Sequence, residues 1–278
     1  MPSTLTAQQI GDRIRARVTP SWDSAAGDGL QAGRADTVVT GIVTAWTPSI
    51  DVLRRAVAAR ANLVITRECP YWSREADVKG YSGAGVTATR ASMAKDPTFA
   101  FKQRYIDEHG LVLWRLSANW DERVAAQPVA SLARALGWET FARAPAGRYV
   151  IPTKTIGALA ADIQRRLTVR GLRVLGAPDA PVARVALSRG FLLVAEVQKI
   201  LRAGDVDLFV AGEPVEWEAF PYVADLVTAG RTKGMILLGN CVSEEPELAG
   251  LATWLTTLVP EAPVRFMPAG EPFTAFRA

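Results

Sequence analysis

Apolar and polar positions along the 278-residue chain follow first a helical and then a strand-like pattern. Leu5–Val18 repeats apolar residues at helical spacing, which predicts a helix capped by Thr6. The β-branched run Thr37–Ala45 predicts a strand, Ile50–Ala61 a helix, and the apolar run Leu63–Thr66 another strand. An order of strand, helix and strand is typical of α/β proteins.

The same order returns in the second half of the chain. Val182–Leu187 and Leu208–Ala211 are strand-like, and Phe191–Ala203 between them is predicted to be a helix. The string Asn62–Glu68 resembles Asp207–Glu213 at a constant offset. This agreement predicts an internal duplication of an α/β half, and chance similarity is the alternative.

A second, weaker pair of strings supports the duplication. Gly110–Trp114 resembles Gly234–Leu238, and each is a short apolar run followed by polar residues and a helical pattern. We therefore expect two intertwined α/β repeats, the first over residues 1–122 and the second over residues 123–278.

Composition limits the class of protein. The chain is 49% hydrophobic and 22% charged, which excludes a disordered, collagen-like or coiled-coil protein. No apolar run approaches the roughly 18 residues of a membrane span, and the polar N-terminus predicts no secretory signal. Two cysteines form no disulfide framework, so we expect a cytoplasmic protein. The net charge of +4 is scattered along helical patterns, which argues against a nucleic-acid partner.

Polar residues follow several predicted strands. Ligands of α/β sheets bind beyond the carboxyl ends of the strands, so these residues are the candidates for chemistry. Glu68, Asp121 and Glu244 are one hypothetical set of oxygen ligands for a hard divalent cation. The alternative is that they cap helices, since Ser243 and Glu244 precede a helix predicted over Pro246–Leu258.

Six strings, in order, resemble the GTP cyclohydrolase 1 type 2 family, also known as the Nif-three-like dinuclear-metal proteins. The resemblance spans roughly residues 5 to 258. It implies two intertwined α-β repeats with mixed sheets, a homohexamer, and two metal ions between the halves of each subunit. The strings that carry it are Asp28–Gly33, Thr40–Ile42, Asn62–Thr66, Trp114–Leu116, Ala211–Glu213 and Gly239–Glu244.

The resemblance also implies that most metal ligands have been replaced. Arg67 stands where the family has its first metal histidine, Glu68 at its second, and Asn240 at the histidine near the C-terminus. Asp121 and Glu244 match the family's acidic ligands. The chain's only histidine, His109, is predicted to cap the C-terminus of a helix.

These replacements change the metal binding that we expect of the site. A guanidinium stays protonated and repels a metal ion, so a dinuclear site beside Arg67 is disfavoured. Arg67 is then expected to pair with Glu68, Asp121 or Glu244. We expect no metal, or one hard cation (Mg²⁺ or Mn²⁺ rather than zinc or iron).

The two thiols and four tryptophans border the same strings. A cysteine beside Arg67 is either an inert packing residue or a nucleophile with a lowered pKa. Tryptophans just beyond strand ends are either core residues or a stacking pocket for a planar ligand. The tryptophans concerned are Trp46, Trp72, Trp120 and Trp217.

Two functions follow. The first is an enzyme of hydrolase or lyase type that acts, with one metal ion or none, on a small anionic or heterocyclic substrate at the inter-repeat cleft. The second is a non-catalytic oligomeric scaffold or ligand-binding protein with a vestigial metal site. The expected partners are a small molecule and further copies of the chain, without nucleic acid or membrane.

The first function assigns a role to each candidate residue. Catalysis would fall to Arg67, Glu68, Cys69 and Asp121. The substrate pocket would be lined by Trp72, Ser117, Asn119, Glu213 and Cys241. Any retained metal would be held by Glu68, Asp121, Asn240 and Glu244.

Overall fold

The computed structural model describes residues 4–71, 95–271 and 273. The chain forms two compact units. The first consists of Met1–Ala125 and Leu248–Ala269, and the second of Ala126–Glu247 and Gly270–Ala278. None of the helices in the described residues is long and apolar enough to cross a membrane.

Helices and short strands alternate along most of the described chain. The helices are α1 (Ala7–Val18), α2 (Ile50–Ala58), α3 (Pro97–Glu108), α4 (Ala118–Arg123), α5 (Ala130–Ala135), α6 (Ile156–Leu167), α7 (Val194–Leu201), α8 (Glu216–Thr228) and α9 (Asn240–Leu258). The strands are β1 (Gly29–Ala32), β2 (Ile42–Ala45), β3 (Leu63–Thr66), β4 (Val112–Arg115), β5 (Ala142–Arg143), β6 (Arg148–Thr155), β7 (Arg173–Leu175), β8 (Pro181–Leu187), β9 (Phe191–Leu192), β10 (Leu208–Ala211), β11 (Glu213–Pro214), β12 (Gly234–Leu237) and β13 (Val264–Phe266).

The first unit is built on a five-stranded sheet with the order β1-β4-β3-β2-β13. Strands β2, β3 and β4 run parallel, β13 is parallel to β2, and β1 is antiparallel to β4. Each residue of β3 is buried, as a central parallel strand covered on both faces requires. Apolar side chains of α1 and α9 form one core cluster with this sheet, and those of α2 and α3 form another.

The second unit repeats this plan in a six-stranded sheet with the order β5-β6-β8-β10-β12-β7. Strands β8, β10 and β12 run parallel, and β7 is antiparallel to β12. Strand β10 is again the fully buried central strand. A separate pair of short parallel strands, β9 and β11, lies just beyond β8 and β10 along the chain.

The two units share an order of elements, which supports the predicted duplication. Each runs helix, antiparallel edge strand, parallel strand, helix, central strand, helix and parallel strand. Equivalent glycines with positive φ follow the two edge strands. A Cβ at Gly33 would lie 2.2 Å from the carbonyl oxygen of Leu111, and a Cβ at Gly176 would lie 2.2 Å from that of Lys233. The mixed α/β fold with mixed sheets is therefore confirmed.

Several element boundaries differ from the prediction. In Thr37–Ala45 only β2 is a strand, because Val38 makes no more than an isolated bridge to Thr6. The helix predicted over Phe191–Ala203 begins at Val194, since Phe191 and Leu192 pair with β11 instead. β propensity and helical spacing leave strand pairing unspecified, and pairing decides both cases.

The last helix starts earlier than its sequence pattern predicts. Helix α9 begins at Asn240, so Ser243 and Glu244 lie inside the helix, and Pro246 lies inside it as well. The prediction that Ser243 and Glu244 cap a helix over Pro246–Leu258 was wrong. The Ser243 hydroxyl instead donates to the carbonyl oxygen of Asn240 and accepts from the Gly190 amide.

The predicted caps elsewhere are confirmed. Thr6 caps α1 and forms a capping box with Gln9, in which each side chain accepts a bond from the other residue's amide. His109 is the residue that ends α3, and its ring nitrogen Nδ1 lies 3.0 Å from the carbonyl oxygen of Tyr105. The chain's single imidazole is therefore engaged at a helix end.

Candidate functional site

Asp28 organises the strand ends of the first unit. Its Oδ1 accepts hydrogen bonds from the Arg115 guanidinium at 3.0 Å and from the Ser117 amide at 2.9 Å. Its Oδ2 accepts from the Asn119 amide at 2.9 Å and from the Asn119 side chain at 3.0 Å. The carboxylate thus pairs with a charge and satisfies free amides at the start of α4, where a negative charge also meets the positive end of the helix.

Arg115 is the buried cation of this network. The Arg115 side chain is 2% exposed, and that of Asp28 is fully buried. Its remaining donors reach main-chain oxygens, those of Ala26 at 2.8 Å and Arg67 at 3.1 Å. A buried guanidinium requires such a complete set of acceptors, and here they join three separate segments of the chain.

Arg67, which follows β3, and Asp121 on α4 form a further ion pair of the first unit. Two guanidinium nitrogens of Arg67 donate to the two carboxylate oxygens of Asp121, at 2.9 and 2.8 Å. The side chains are 14% and 34% exposed. This bidentate geometry is the strongest form of an arginine–carboxylate contact. It is one of the pairings expected for Arg67 from the sequence.

The residues next to Arg67 are held by the main chain. The Glu68 amide donates to the carbonyl oxygen of Trp46, and the Thr66 hydroxyl donates to the carbonyl oxygen of Glu68. Cys69 is partly buried. Trp72, predicted to line the substrate pocket, lies outside the described residues.

Ser117 and Asn119 are buried structural residues. The Asn119 side chain accepts from the Asp23 amide at 2.7 Å and donates to the Asp23 carbonyl at 3.1 Å, in addition to its bond with Asp28. Ser117 precedes α4 and is 4% exposed. The sequence predicts that both residues line a substrate pocket, and the contacts described here fix the turn before α4.

In the second unit, two glycines bring strand ends into direct contact. A Cβ at Gly212 would lie 2.3 Å from the Gly190 carbonyl oxygen and 2.7 Å from the Gly190 nitrogen. The hydroxyls of Ser188 and Ser243 accept from the amides of Gly212 and Gly190. Because the backbones touch, no side chain fits at Gly212 without displacing the turn after β8.

Gly212→Ala is therefore expected to lower the free energy of unfolding by about 1–3 kcal/mol, the usual cost of overpacking. Unfolding of the purified chain by guanidinium chloride measures this change in the free energy of unfolding. Gly171→Ala is the matched control, because nothing lies within 4 Å of the added Cβ. An equal loss for both variants would contradict the close approach of Gly190 and Gly212.

Glu244 is a buried carboxylate of the second unit. Its Oε1 lies 3.4 Å from a guanidinium nitrogen of Arg189, and the side chains are 3% and 11% exposed. The Asn240 amide donates to Glu213 at 3.2 Å. The Oδ1 atom of Asn240 is buried and has no donor among the described residues. Polar candidates at the ends of β8, β10 and β12 thus lie in one neighbourhood.

The Cys241 thiol is protected from ionisation. Burial raises its pKa well above the ordinary value, and the neighbouring carboxylates of Glu245 and Glu244 raise it further. A thiol of this kind is a poor nucleophile. For Cys241 the packing interpretation is therefore favoured over the reactive one.

The tryptophans do not share one environment. Trp46 packs against the core cluster of the first unit. Trp120 is buried, with its ring centroid 5.3 Å from that of Trp254. Trp217 belongs to the second unit and is 79% exposed on α8. For Trp46 and Trp120 the core interpretation is confirmed.

Asp28, Arg115 and Arg189 were missed as organising residues. Asp28 and Arg115 each had a signal in the sequence. Asp28 heads the string that resembles the family's glycine-rich turn, and Arg115 interrupts an apolar strand. An arginine in a buried strand requires a carboxylate partner.

Solved structures resemble this chain over nearly its whole length. A Bacillus cereus protein related to NIF3 aligns with a TM-score of 0.71 and 13% identity, covering 99% of this chain and 100% of that one. A Staphylococcus aureus hypothetical protein aligns at 0.68 with 18% identity, over 99% and 100%. The protein ybgI, of unknown function, aligns at 0.65 with 20% identity, over 97% and 100%.

The chain has the NIF3-like fold. No family profile matches the sequence, and no curated protein matches it. The fold expected from the ordered strings is thus confirmed by structure at low sequence identity.

The donors of the first unit do not fit the dinuclear metal site that the resemblance to Nif-three-like proteins implies. Both carboxylate oxygens of Asp121 are engaged by the Arg67 guanidinium. Among the described residues, no group of three or more His, Cys, Asp or Glu side chains is placed to hold a metal ion. In the second unit, Asn240 and Glu244 offer oxygen donors that suit a single hard cation.

Proposed function

We propose that this chain is a non-catalytic scaffold protein with the NIF3-like fold. The bidentate pair of Arg67 with Asp121 carries the proposal. A general acid or base needs an oxygen that faces the substrate proton, and a metal ligand needs a free lone pair. Both oxygens of Asp121 accept hydrogen bonds from Arg67, and the positive charge of that guanidinium beside them opposes a metal ion at this carboxylate.

The second unit supports the proposal in the same way. Glu244 lies against Arg189, so its charge is also balanced from within its own unit. Ser117 and Asn119 fix a turn, and the Cys241 thiol is held protonated. Most of the candidate residues whose side-chain contacts are described therefore have structural roles.

A second candidate function keeps one metal ion. It is favoured by the buried Oδ1 of Asn240, which has no donor among the described residues and lies on the same helix as Glu244. These two residues would hold Mg²⁺ or Mn²⁺, and the ion would supply positive charge to a small anionic or heterocyclic substrate. The positive charge of Arg189 beside Glu244 opposes this candidate.

Metal content and turnover test the two candidates together. The purified chain is incubated with Mn²⁺, Mg²⁺ and Zn²⁺, and its bound metal is measured by inductively coupled plasma mass spectrometry. GTP is then added with and without Mn²⁺, and products are followed by liquid chromatography and mass spectrometry. For the scaffold we expect well under one metal equivalent per chain and no product.

Each other result contradicts the scaffold in a defined way. One equivalent of Mn²⁺ that Asn240→Leu abolishes would establish the single-cation candidate. Two tightly held equivalents, or a product that Asp121→Asn abolishes, would restore a dinuclear hydrolase. Arg67→Lys is the matched control, because it keeps the positive charge but loses the bidentate contact.

A further inference from the structure

The last described residues of the chain belong to the second unit, although the residues directly before them belong to the first. They follow β13, and none of the described residues after that strand forms a further helix or strand. We call Gly270, Glu271 and Phe273 the C-terminal strap. The end of a chain is poorly ordered unless specific contacts tie it down, so the contacts of the strap carry information.

Arg170 is the first anchor of the strap. It lies in the turn between α6 and β7, and its main-chain amide donates to the Glu271 carboxylate at 2.7 Å. Its guanidinium donates to the Phe273 carbonyl oxygen, also at 2.7 Å. Both hydrogen bonds are short and charge-assisted, so a single residue holds the strap at two points.

The second anchor is the start of α9. The Gly270 amide donates to the Glu245 carboxylate at 3.3 Å. Cys241 lies four residues before Glu245 on this helix, so the two side chains are neighbours on one helix face. Burial raises the pKa of the Cys241 thiol, and the carboxylates of Glu245, Glu244 and Glu271 raise it further. Glu271 of the strap therefore lies near the thiol.

The strap is held by weak contacts. Phe273 is 73% exposed, so apolar packing of its ring contributes little. The hydrogen bonds of Gly270 and Arg170 lie at exposed positions, where the net contribution of each bond to stability is small. Segments held in this way open locally while the core stays folded.

We propose that the C-terminal strap is a detachable cover over the start of α9, and that Arg170 holds it closed over the Cys241 thiol. In the closed state the thiol is partly buried among three carboxylates and reacts slowly. Opening exposes the thiol to solvent and moves the Glu271 charge away, and both changes make it more reactive. The inference goes beyond the proposed scaffold and does not depend on it.

Alkylation of the two cysteines by iodoacetamide tests this inference on the full chain. Peptide mass spectrometry measures the labelling rate of each thiol at a fixed pH, with Cys69 of the first unit as the internal reference. Arg170→Met is expected to speed the labelling of Cys241 roughly tenfold, because it removes the charge-assisted hydrogen bond to Phe273. A charge effect alone has the opposite sign, since removing a positive charge raises the pKa of a nearby thiol and slows alkylation.

Proteolysis reports on the strap without the thiol. Chymotrypsin is expected to cleave after Phe273 faster in Arg170→Met than in the wild type, because a detached segment is accessible to a protease. Intact-mass measurement follows the loss of the residues beyond Phe273. Arg202→Met, at an exposed arginine that ends α7 in the same unit, is the matched control and is expected to change neither rate. Circular dichroism verifies that each variant is folded.

Two results would overturn the inference. Unchanged cleavage after Phe273 in Arg170→Met would mean that Arg170 does not hold the strap. Faster cleavage without faster labelling of Cys241 would mean that the strap does not cover the thiol. Neither measurement involves metal binding or turnover, so this inference and the proposed function fail separately.

Discussion

Replacing Asp28 by alanine is expected to lower the free energy of unfolding by about 3–5 kcal/mol, the cost of leaving one partner of a buried ion pair alone. The Arg115 guanidinium is 2% exposed and would lose the carboxylate that pairs with it among the described residues. The amides of Ser117 and Asn119 would lose their acceptor at the start of α4 as well. Unfolding by guanidinium chloride, followed by circular dichroism, measures this loss of stability.

Three variants separate the buried charge from other effects. Asp28→Asn keeps an acceptor oxygen and is expected to lower the free energy of unfolding less than Asp28→Ala does. It can therefore still be measured if the alanine variant does not fold. Asp28→Ala combined with Arg115→Met removes both charges and is expected to regain part of the stability. Asp36→Ala breaks an exposed pair with Arg34 and is expected to change little. A small loss for Asp28→Ala would contradict the network.

The sequence was sufficient to predict a strand where the strand is a short apolar run with polar residues or turns on both sides. Strands β3 and β10 occupy the predicted residues, Leu63–Thr66 and Leu208–Ala211, because a buried parallel strand is apolar on both faces. The equivalence of these strands and the repeated order of elements were predictable for the same reason. Element boundaries that depend on pairing with another strand, such as the pairing of Phe191 with β11, could not be predicted from the sequence.

The site was harder to predict, because its contacts join distant parts of the chain. Asp28 and Arg115 are 87 positions apart, and Arg67 and Asp121 are 54 apart. Sequence limits Arg67 to a few acidic partners, but the choice among them depends on where α4 directs Asp121. The two serines that accept the glycine amides of the second unit carry no local signal either. Register and turn geometry decide these contacts.

Lys102 is an unusual residue that no part of the proposed function uses. Its side chain lies in the first unit and is 1% exposed, on the face of α3 that also carries Phe99 and Ile106. Its ammonium donates to the carbonyl oxygen of Pro70 and lies 6.0 Å from the ring centroid of Tyr71. Burial lowers its pKa from 10.5 to about 8, because the charged form is poorly solvated there.

The pH dependence of stability follows from this shift. Between pH 8 and 10.5 the unfolded chain keeps a proton on Lys102 that the folded chain has released, so the contribution of Lys102 to stability rises with pH in this window. The contribution is fully present above pH 10.5 and is lost as the pH falls to about 8. A shift of this size corresponds to about 3 kcal/mol, at 1.36 kcal/mol per pKa unit.

Lys102→Met isolates this contribution, because other groups that titrate at alkaline pH are common to both proteins. The free energy of unfolding of the wild type minus that of Lys102→Met is expected to increase by about 3 kcal/mol from pH 7.5 to 10.5. Urea titration at a series of pH values measures the difference. Lys199→Met, at an exposed lysine of α7, is expected to show no such trend. A pH-independent difference for Lys102→Met would mean that the Lys102 ammonium is solvated as well in the folded chain as in the unfolded one.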